Sequence, residues 1–253
     1  MSKRQRYAAI VSLVVLLLPL LAGCTPNPQG EPTGVFGKYL VKPISDLLDF
    51  FFSVLGNYAW AILVMTLLVR LVVFPLTWKQ QKGALALQEI QPQIKKIQDK
   101  YKKDQQKLQQ EMMKLFQENN YNPMAGCLPL IIQMPILLAL YQAIMYNKHI
   151  GTHEFLYMKL GAPDPYYILP LLAAITTYFT FVSSMASQPT TQGPNPMKAM
   201  IWFMPIMVFV LAFKFPAALS LYWVFGNVIS ILQQVLIFTP MKNKRMAQRG
   251  ATR

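Results

Sequence analysis

The chain has 253 residues, of which 54% are hydrophobic and only 13% are charged. This composition excludes an ordinary water-soluble domain and indicates a membrane protein. The formal net charge of +14 suits anionic lipid headgroups or ribosomal RNA as neighbours, and it does not by itself require a nucleic-acid function.

The first 24 residues have the pattern of a bacterial secretory signal. Three basic residues precede an apolar run at 8–18, and the tetrapeptide Leu21-Ala22-Gly23-Cys24 follows. This arrangement resembles a lipobox, so we expect residues 1–23 to be a signal peptide and Cys24 to become lipidated. The alternative is a signal anchor in which the cysteine has no such role. The other cysteine is Cys127, so no disulfide within the mature chain is predicted.

Five later segments are predicted to be membrane-spanning helices, because about 20 apolar residues cross the roughly 30 Å hydrocarbon core and a helix satisfies its own backbone hydrogen bonds in lipid. No strands are predicted. The alternate connecting segments and the tail at 239–253 hold fifteen Lys and Arg residues against five on the opposite side. The positive-inside rule therefore predicts an outer N-terminus and a cytoplasmic C-terminus. The predicted spans lie near 58–78, 128–147, 166–187, 200–213 and 217–238.

Two further helical elements are expected outside the spans. Residues 24–57 are read as a lipid-anchored tether followed by an amphipathic helix on the outer membrane surface. Residues 79–120 carry apolar side chains at spacings of three and four on both sides of a charged turn, which predicts an antiparallel cytoplasmic helical hairpin. Pro92 is expected in the first turn of its longer helix. The alternative for 79–120 is a solvated connector.

Arg70 lies in the apolar run LLVRLVVFP, and no Asp or Glu occurs in any of the five predicted spans. An arginine at mid-span costs about 2.5–3.5 kcal/mol even on lenient insertion scales. We therefore expect a water-filled cavity around it; a dry arginine bonded to backbone carbonyls is the alternative. At 100° per residue, polar side chains also form stripes on the first, third and fifth spans. These include Thr66, Arg70 and Thr77; Thr176, Thr180, Ser183 and Ser187; and Ser220, Trp223, Asn227, Ser230 and Gln234.

Small hydroxyl residues could alternatively serve only close helix packing. No Walker loop, HExxH motif or buried carboxylate pair is present, so neither an enzyme nor a nucleotide-using protein is predicted. No cofactor or metal is expected either, because His149 and His153, which flank Gly151, form a weak metal pair in a predicted outer loop.

Four sequence features carry a family resemblance: NPMAGCLPLIIQMPI at 122–136, DPYYILP at 164–170, FPAALSLYWVFGN at 215–227, and the arginine of the first span. They resemble the YidC/Oxa/Alb family of membrane protein insertases, in its Gram-positive lipoprotein form. The resemblance implies five helices around a hydrophilic groove that is open to the cytoplasm and to lipid. It also implies insertion of newly made membrane proteins without nucleotide hydrolysis.

By the same resemblance, the groove arginine corresponds to Arg70, its neighbouring threonine to Thr66 and the second-span glutamine to Gln133. The aromatic pair of the last span corresponds to Tyr222 and Trp223. Thr180 stands where relatives often have glutamine, which weakens any requirement for an amide there. The implied partners are nascent membrane proteins, the Sec translocon, the ribosome and the bilayer of the bacterial cell membrane.

Two other functions remain open from the sequence. Arg70 could be the selectivity charge of an anion carrier or channel, although neither an intramembrane carboxylate nor an inverted repeat supports coupled transport. The chain could also be an assembly chaperone that works beside the general secretion channel.

Overall fold

A computed structural model describes residues 34–102, 104–119, 121, 128–185 and 196–251. The predicted signal peptide, the lipidation site at Cys24, Cys127 and Ser187 lie outside these residues. Across the described ranges the chain is mostly helical, which confirms the helical class predicted from composition.

In the described ranges, we number nine helices and one pair of short strands. A turn of helix at Gly34–Phe36 and a π-helical turn at Gly37–Val41 lead into α1. A second π-helical turn, Gln234–Phe238, joins α8 to α9. The elements are α1 Lys42–Leu55, α2 Tyr58–Lys100, α3 Gln105–Glu118, α4 Leu128–Tyr146, α5 Lys148–Thr152, β1 Glu154–Phe155, β2 Met158–Lys159, α6 Ile168–Met185, α7 Pro196–Ala212, α8 Ala217–Gln233 and α9 Thr239–Ala251.

Two helical segments, Tyr58–Lys100 and Ala217–Lys244, are long and apolar enough to cross a membrane. Three shorter apolar segments, Ile132–Tyr146, Ile168–Ser184 and Met200–Ala212, coincide with the other predicted spans. Length and composition thus support the first and fifth spans directly, and the complete five-span topology remains a prediction.

The expected start of a new helix near Pro92 is wrong, because α2 runs unbroken from Tyr58 to Lys100 and contains both Pro75 and Pro92. Strong helix formers such as Lys, Gln, Ala and Leu fill the segment between the apolar part and Pro92. Pro92 is exposed, so water can reach the carbonyl that a proline leaves unpaired one turn earlier. The first span and the first hairpin helix are one element.

The two arms of the hairpin meet along the apolar seam that the spacing indicates. Ile90, Ile94 and Leu115 are buried in a cluster of their own, with Leu87, Ile97, Met112 and Phe116 packed around them. Asp104 begins α3 by accepting a hydrogen bond from the backbone N–H of Lys107 at 3.0 Å, which is a standard N-cap. The seam is separate from the main core, so the hairpin packs on itself.

The expectation that the chain contains no strands is wrong at one place. β1 and β2 pair antiparallel, Glu154 opposite Lys159 and Phe155 opposite Met158. Leu156, in the connecting turn, has a φ of 56°. A strand of two residues is too short to show the alternation by which strands are recognised in a sequence.

Helix α8 is central, since it packs against α2, α4, α6 and α7. The main apolar core lies at the end of the bundle where α8 begins, and α1, the N-terminal part of α2 and the C-terminal part of α4 contribute to it. Val41, Leu48, Ala59, Ile62 and Ala143 are fully buried there. This dense packing is confined to one end of the helices, and the polar side chains lie farther along them.

Candidate functional site

A group of side chains, which we call the polar centre, surrounds Arg70 where α2 and α8 meet. It consists of Thr66, Arg70, Gln133, Tyr222 and Gly226. A Cβ atom placed on Gly226 would lie 3.1 Å from Nη2 of Arg70 and 3.9 Å from the methyl carbon of Thr66. The guanidinium therefore lies directly on the backbone of α8, at the one position where that helix has no side chain.

Arg70 has no acidic partner in the described part of the chain. The two ion pairs found there, Lys42–Asp46 and Lys102–Asp99, do not involve it. Its side chain is half-buried. One turn earlier Thr66 is buried and donates its hydroxyl hydrogen to the carbonyl of Ile62 at 2.6 Å. A half-buried cation without a counter-charge needs water or neutral acceptors around it.

Gln133 and Tyr222 connect α4 to α8 beside the arginine. Nε2 of Gln133 donates to the phenolic oxygen of Tyr222 at 2.7 Å, and Tyr222 is close enough to Arg70 for the two side chains to interact electrostatically. Tyr222 is buried whereas Gln133 is half-buried. The amide thus fixes the position of the ring that borders the guanidinium.

A second polar contact ties α8 to α6. Nδ2 of Asn227 donates to the hydroxyl oxygens of Thr176 at 3.1 Å and of Thr177 at 2.8 Å. Asn227 and Thr177 are both buried. Asn227 follows Gly226 directly in the chain. One turn of α8 therefore contacts Arg70 of α2 at Gly226 and the threonines of α6 through Asn227.

The opposite end of the α2–α8 contact is also polar. Nε2 of Gln81 donates to Oε1 of Gln234 at 3.1 Å, and Gln234 is buried at the start of the π-helical turn. Nε2 of the adjacent Gln80 is buried and has no hydrogen-bond partner among the residues that the structure describes. Such a turn often marks a functional position in a helix, and here it brings Phe238 onto Phe74 and Trp78.

At the end of the bundle nearer the main core, the connection between α4 and α6 packs on the start of α8. The backbone N–H groups of Ala217 and Ala218, at the start of α8, donate to the carbonyls of Ala162 at 2.8 Å and Leu160 at 3.0 Å. Gly161 lies between these two residues, and a Cβ atom there would clash with the backbone of Gly151. The loop can thus lie flat across the first turn of α8.

Asp164 anchors the same connection from a buried position. Its carboxylate accepts from the backbone N–H of Leu169 at 2.6 Å and of Tyr166 at 3.0 Å, and from the hydroxyl of Tyr157 at 3.2 Å. Burial, together with the negative charge of Asp164, raises the pKa of Tyr157. The phenol therefore stays protonated and keeps donating to the carboxylate.

Helix α1 is fastened to this end by three residues that we call the outer clasp, after the membrane side predicted for this end: Asp49, Tyr58 and Asn147. The Tyr58 hydroxyl donates to Oδ1 of Asp49 at 2.6 Å. Nδ2 of Asn147 donates to both carboxylate oxygens, at 2.9 and 3.0 Å. The clasp joins the amphipathic helix to the beginning of α2 and the end of α4.

The remaining site residues predicted from the sequence are spread along the same helices. Thr180 is half-buried and donates to the carbonyl of Thr176 in its own helix at 2.8 Å. Trp223 lies toward α7, where it borders a cavity of about 10 Å³ with Val208, Ala212 and Ser220. Gln234 is about two turns beyond Asn227 and bonds to Gln81. The structure thus groups Thr66, Tyr222 and, through Tyr222, Gln133 with Arg70, and places the other four, Thr180, Trp223, Asn227 and Gln234, along the bundle.

Sequence reasoning missed Gly226, Thr177, Gln81 and the outer clasp. The sequence does contain an indication for Gly226. A glycine in a helix interior costs about 1 kcal/mol relative to alanine, so its presence suggests that another group approaches the helix backbone closely. The glutamine pair and the clasp join residues 153 and 98 positions apart. No local pattern connects residues at that separation.

The fold and this site define a helical membrane protein whose helix bundle holds a cation that has no acidic partner among the described residues. The family described as 60Kd inner membrane protein matches residues 50–245. Among curated proteins, membrane protein insertase YidC 2 of Bacillus anthracis is 48% identical over 240 residues, which cover 91% of this chain and 93% of that protein. Membrane protein insertase YidC 2 of Listeria innocua is 46% identical over 256 residues, 97% of this chain and 88% of that protein. Membrane protein insertase MisCA of Bacillus subtilis is 43% identical over 245 residues, 94% and 93% of the two chains.

A solved structure is similar as well, a crystal structure of an active YidC insertase in which the first transmembrane domain is resolved. It matches with a TM-score of 0.61 and 28% identity, covering 77% of this chain, and the chain spans 46% of the length of that protein. The chain belongs to the YidC family of membrane protein insertases, with its similar relatives in Gram-positive bacteria.

Proposed function

We propose that this protein inserts newly made membrane proteins by receiving the polar tail of the substrate in a hydrophilic groove around Arg70. The observation that carries the proposal is the half-buried guanidinium, which has no acidic partner in the described ranges and rests against Gly226. An unpaired charge at membrane depth is by default a functional feature. Water in the groove solvates it until an acidic or polar segment arrives.

The groove opens toward the cytoplasm and ends below the outer face. The contacts of Leu160 and Ala162 with α8, and the outer clasp, support closure at the outer end. A tail entering from the cytoplasm therefore crosses part of the membrane in a polar environment. The transmembrane potential assists acidic tails by about 2.3 kcal/mol per charge per 100 mV.

The hydrophobic segment of the substrate moves along the lipid-facing sides of α6 and α8. Large apolar side chains are exposed there, among them Leu171, Ile175 and Phe179 of α6 and Val228 and Leu232 of α8. A cavity of about 480 Å³ beside them, between α6 and α7, is lined by apolar and aromatic residues such as Tyr178, Trp202 and Phe209. Burial of about 20 apolar residues in lipid then drives release into the bilayer.

The chain works in the bacterial cell membrane with its N-terminus outside, held by a lipid on Cys24, and cooperates with the Sec translocon and the ribosome. The ribosome delivers the substrate from the cytoplasmic side, where the hairpin of α2 and α3 extends as a docking arm. The excess of Lys and Arg in the segments assigned to that side supports the orientation.

Reconstituted vesicles test the role of Arg70. With a substrate whose N-terminal tail carries Asp or Glu, Arg70→Ala and Arg70→Glu are expected to abolish insertion, and Arg70→Lys to retain most of it. A matched substrate with a neutral tail is the internal control and should respond far less. Normal insertion of the acidic-tailed substrate by Arg70→Ala would reduce the arginine to a structural role. Flux of small anions in the absence of any polypeptide substrate would instead support the anion channel.

A further inference from the structure

The C-terminal end of the apolar part of α2 carries two lysines beside an aromatic cluster. Lys79 and Lys82 are both exposed and, three residues apart, they share one face of the helix. The ring of Trp78 lies 6.0 Å from that of Phe74 and 6.0 Å from that of Phe238. Nζ of Lys82 lies 5.6 Å from the centre of the Trp78 ring.

The depth of these charges follows from helix geometry. Side chains on a helix lean toward its N-terminus, so Lys79 and Lys82 lean back toward the apolar part of α2. The position of the Lys82 ammonium over Trp78 agrees with this direction. Tryptophan concentrates at the headgroup level of membranes. The ammonium of Lys82 therefore lies beside a residue type that favours the depth of the lipid phosphates.

The positive charge here is not neutralised by the helices that surround it. Neither Lys79 nor Lys82 takes part in the two ion pairs of the described residues. The sequence has no Asp or Glu from residue 50 to 88 or from 165 to 253, and these stretches include the apolar part of α2 and all of α6 to α9. Like charges three residues apart on a helix repel each other, and an anion shared between them removes that repulsion.

The helices α2 and α8 run parallel, since Thr66 and Arg70 approach Gly226 while Trp78, farther along α2, meets Phe238 in the π-helical turn that follows α8. Helix α9 thus leaves the ring cluster on the same side as the two lysines. It adds further basic residues there, including the exposed Lys244. The whole junction is basic on its polar side and aromatic on its apolar side.

We propose that Lys79, Lys82 and Trp78 form a binding site for the phosphodiester headgroup of an anionic phospholipid, whose acyl chains lie against the partly exposed ring of Phe74. A lipid satisfies both parts of the surface, the paired ammonium groups and the adjoining rings. Ribosomal RNA would use only the ammonium groups. The proposed orientation decides only which leaflet supplies the lipid, so the site can fail without affecting the proposed insertase function.

Fluorescence quenching of Trp78 tests the site on the full-length chain. A variant with Trp60→Phe, Trp202→Phe and Trp223→Phe keeps Trp78 as its single tryptophan. It is reconstituted in phosphatidylcholine vesicles that contain a fixed fraction of brominated phosphatidylglycerol or, separately, of brominated phosphatidylcholine. We expect brominated phosphatidylglycerol to quench more strongly, with a relative association constant above one that falls at high salt.

Replacing the lysines should remove that preference. Each lysine near an anionic surface contributes about fivefold, or roughly 1 kcal/mol, so Lys79→Gln with Lys82→Gln should bring the two lipids close to equal quenching. The matched control is Lys95→Gln with Lys96→Gln, which removes the same charge from two exposed lysines on the hairpin and should leave the preference intact. Thermal unfolding checks that both double variants remain folded.

Three results would overturn the lipid site. Equal quenching by both lipids in the parent variant would show that no headgroup is selected. Loss of the lipid preference in the presence of millimolar inorganic phosphate would show that the lysines bind a soluble anion. Retained lipid preference in the Lys79→Gln, Lys82→Gln variant, together with weakened binding to a ribosomal RNA fragment, would assign them to RNA.

Discussion

Nη2 of Arg70 lies against the backbone of Gly226, so close that a methyl group on Gly226 would come within 3.1 Å of it. The arginine therefore occupies a place that a side chain on α8 would otherwise fill. Because an arginine side chain is flexible, a small group at residue 226 would displace it slightly, whereas a branched group would push it out of its place.

Gly226→Val is accordingly expected to impair insertion of acidic-tailed substrates although Arg70 itself is unchanged. Overpacking costs about 1–3 kcal/mol, and Gly226→Ala should have a much smaller effect. The measurement is the insertion rate in reconstituted vesicles. Gly83→Val is the control, because a Cβ atom on Gly83 meets nothing within 4 Å. Equal rates for the two valine variants would mean that the position of the guanidinium is unimportant.

Gln133→Glu should give the arginine the counter-charge that it lacks. The amide of Gln133 bonds to Tyr222, which interacts electrostatically with Arg70, so a carboxylate at residue 133 adds a negative charge to the polar centre. We expect slower insertion of acidic-tailed substrates and an unchanged rate for neutral-tailed ones. Gln133→Leu removes the same hydrogen bond without adding charge, and should slow both substrates to a similar, smaller extent. Identical behaviour of Glu and Leu would exclude an electrostatic role.

The outer clasp should contribute to stability through the hydrogen bond of Tyr58 to a carboxylate. Hydrogen bonds to charged groups contribute about 1.5–3 kcal/mol, so Tyr58→Phe is expected to lower the free energy of unfolding by an amount of this order. Thermal unfolding in detergent measures it. Ser53→Ala is a suitable control, because the hydroxyl of the exposed Ser53 donates to the carbonyl of Phe50 in its own helix.

A double-mutant cycle separates the clasp from general packing. If the Tyr58 hydroxyl acts through Asp49, then Tyr58→Phe should cost much less in a chain that already carries Asp49→Asn. An unchanged cost in that background would indicate that the lost stability has another origin.

Helix α3 should depend on the seam for its existence. A helix of 14 residues is marginal by itself in water, and α3 is held by the cluster of Ile90, Ile94 and Leu115. Ile94→Ala, a change that typically costs about 2–5 kcal/mol in a core, is expected to increase hydrogen exchange throughout α3 and to leave that of α8 unchanged. Lys96→Ala on the exposed face of α2 should change neither. Unaltered protection of α3 in Ile94→Ala would show that something other than the seam orders it.

Much of the architecture could be predicted from local patterns. Helices follow the apolar segments because a backbone in lipid must satisfy its own hydrogen bonds. The seam of the hairpin follows from apolar spacings of three and four. The position of Asp104 at the start of α3 follows from the preference for short polar residues at helix starts. The failure at Pro92 has a physical cause: an exposed proline interrupts one hydrogen bond without ending a helix whose other residues favour it.

The sequence by itself determined that Arg70 is a cation among apolar residues with no acid in any neighbouring span, because that statement needs only composition and the length of a membrane-crossing helix. Only the tertiary structure decided what the cation touches. Gly226 is 156 residues away in the chain, and its contact with Arg70 depends on the rotation and depth of α8 relative to α2. Packing among all the helices sets both quantities, and no repeat or spacing along the chain records them.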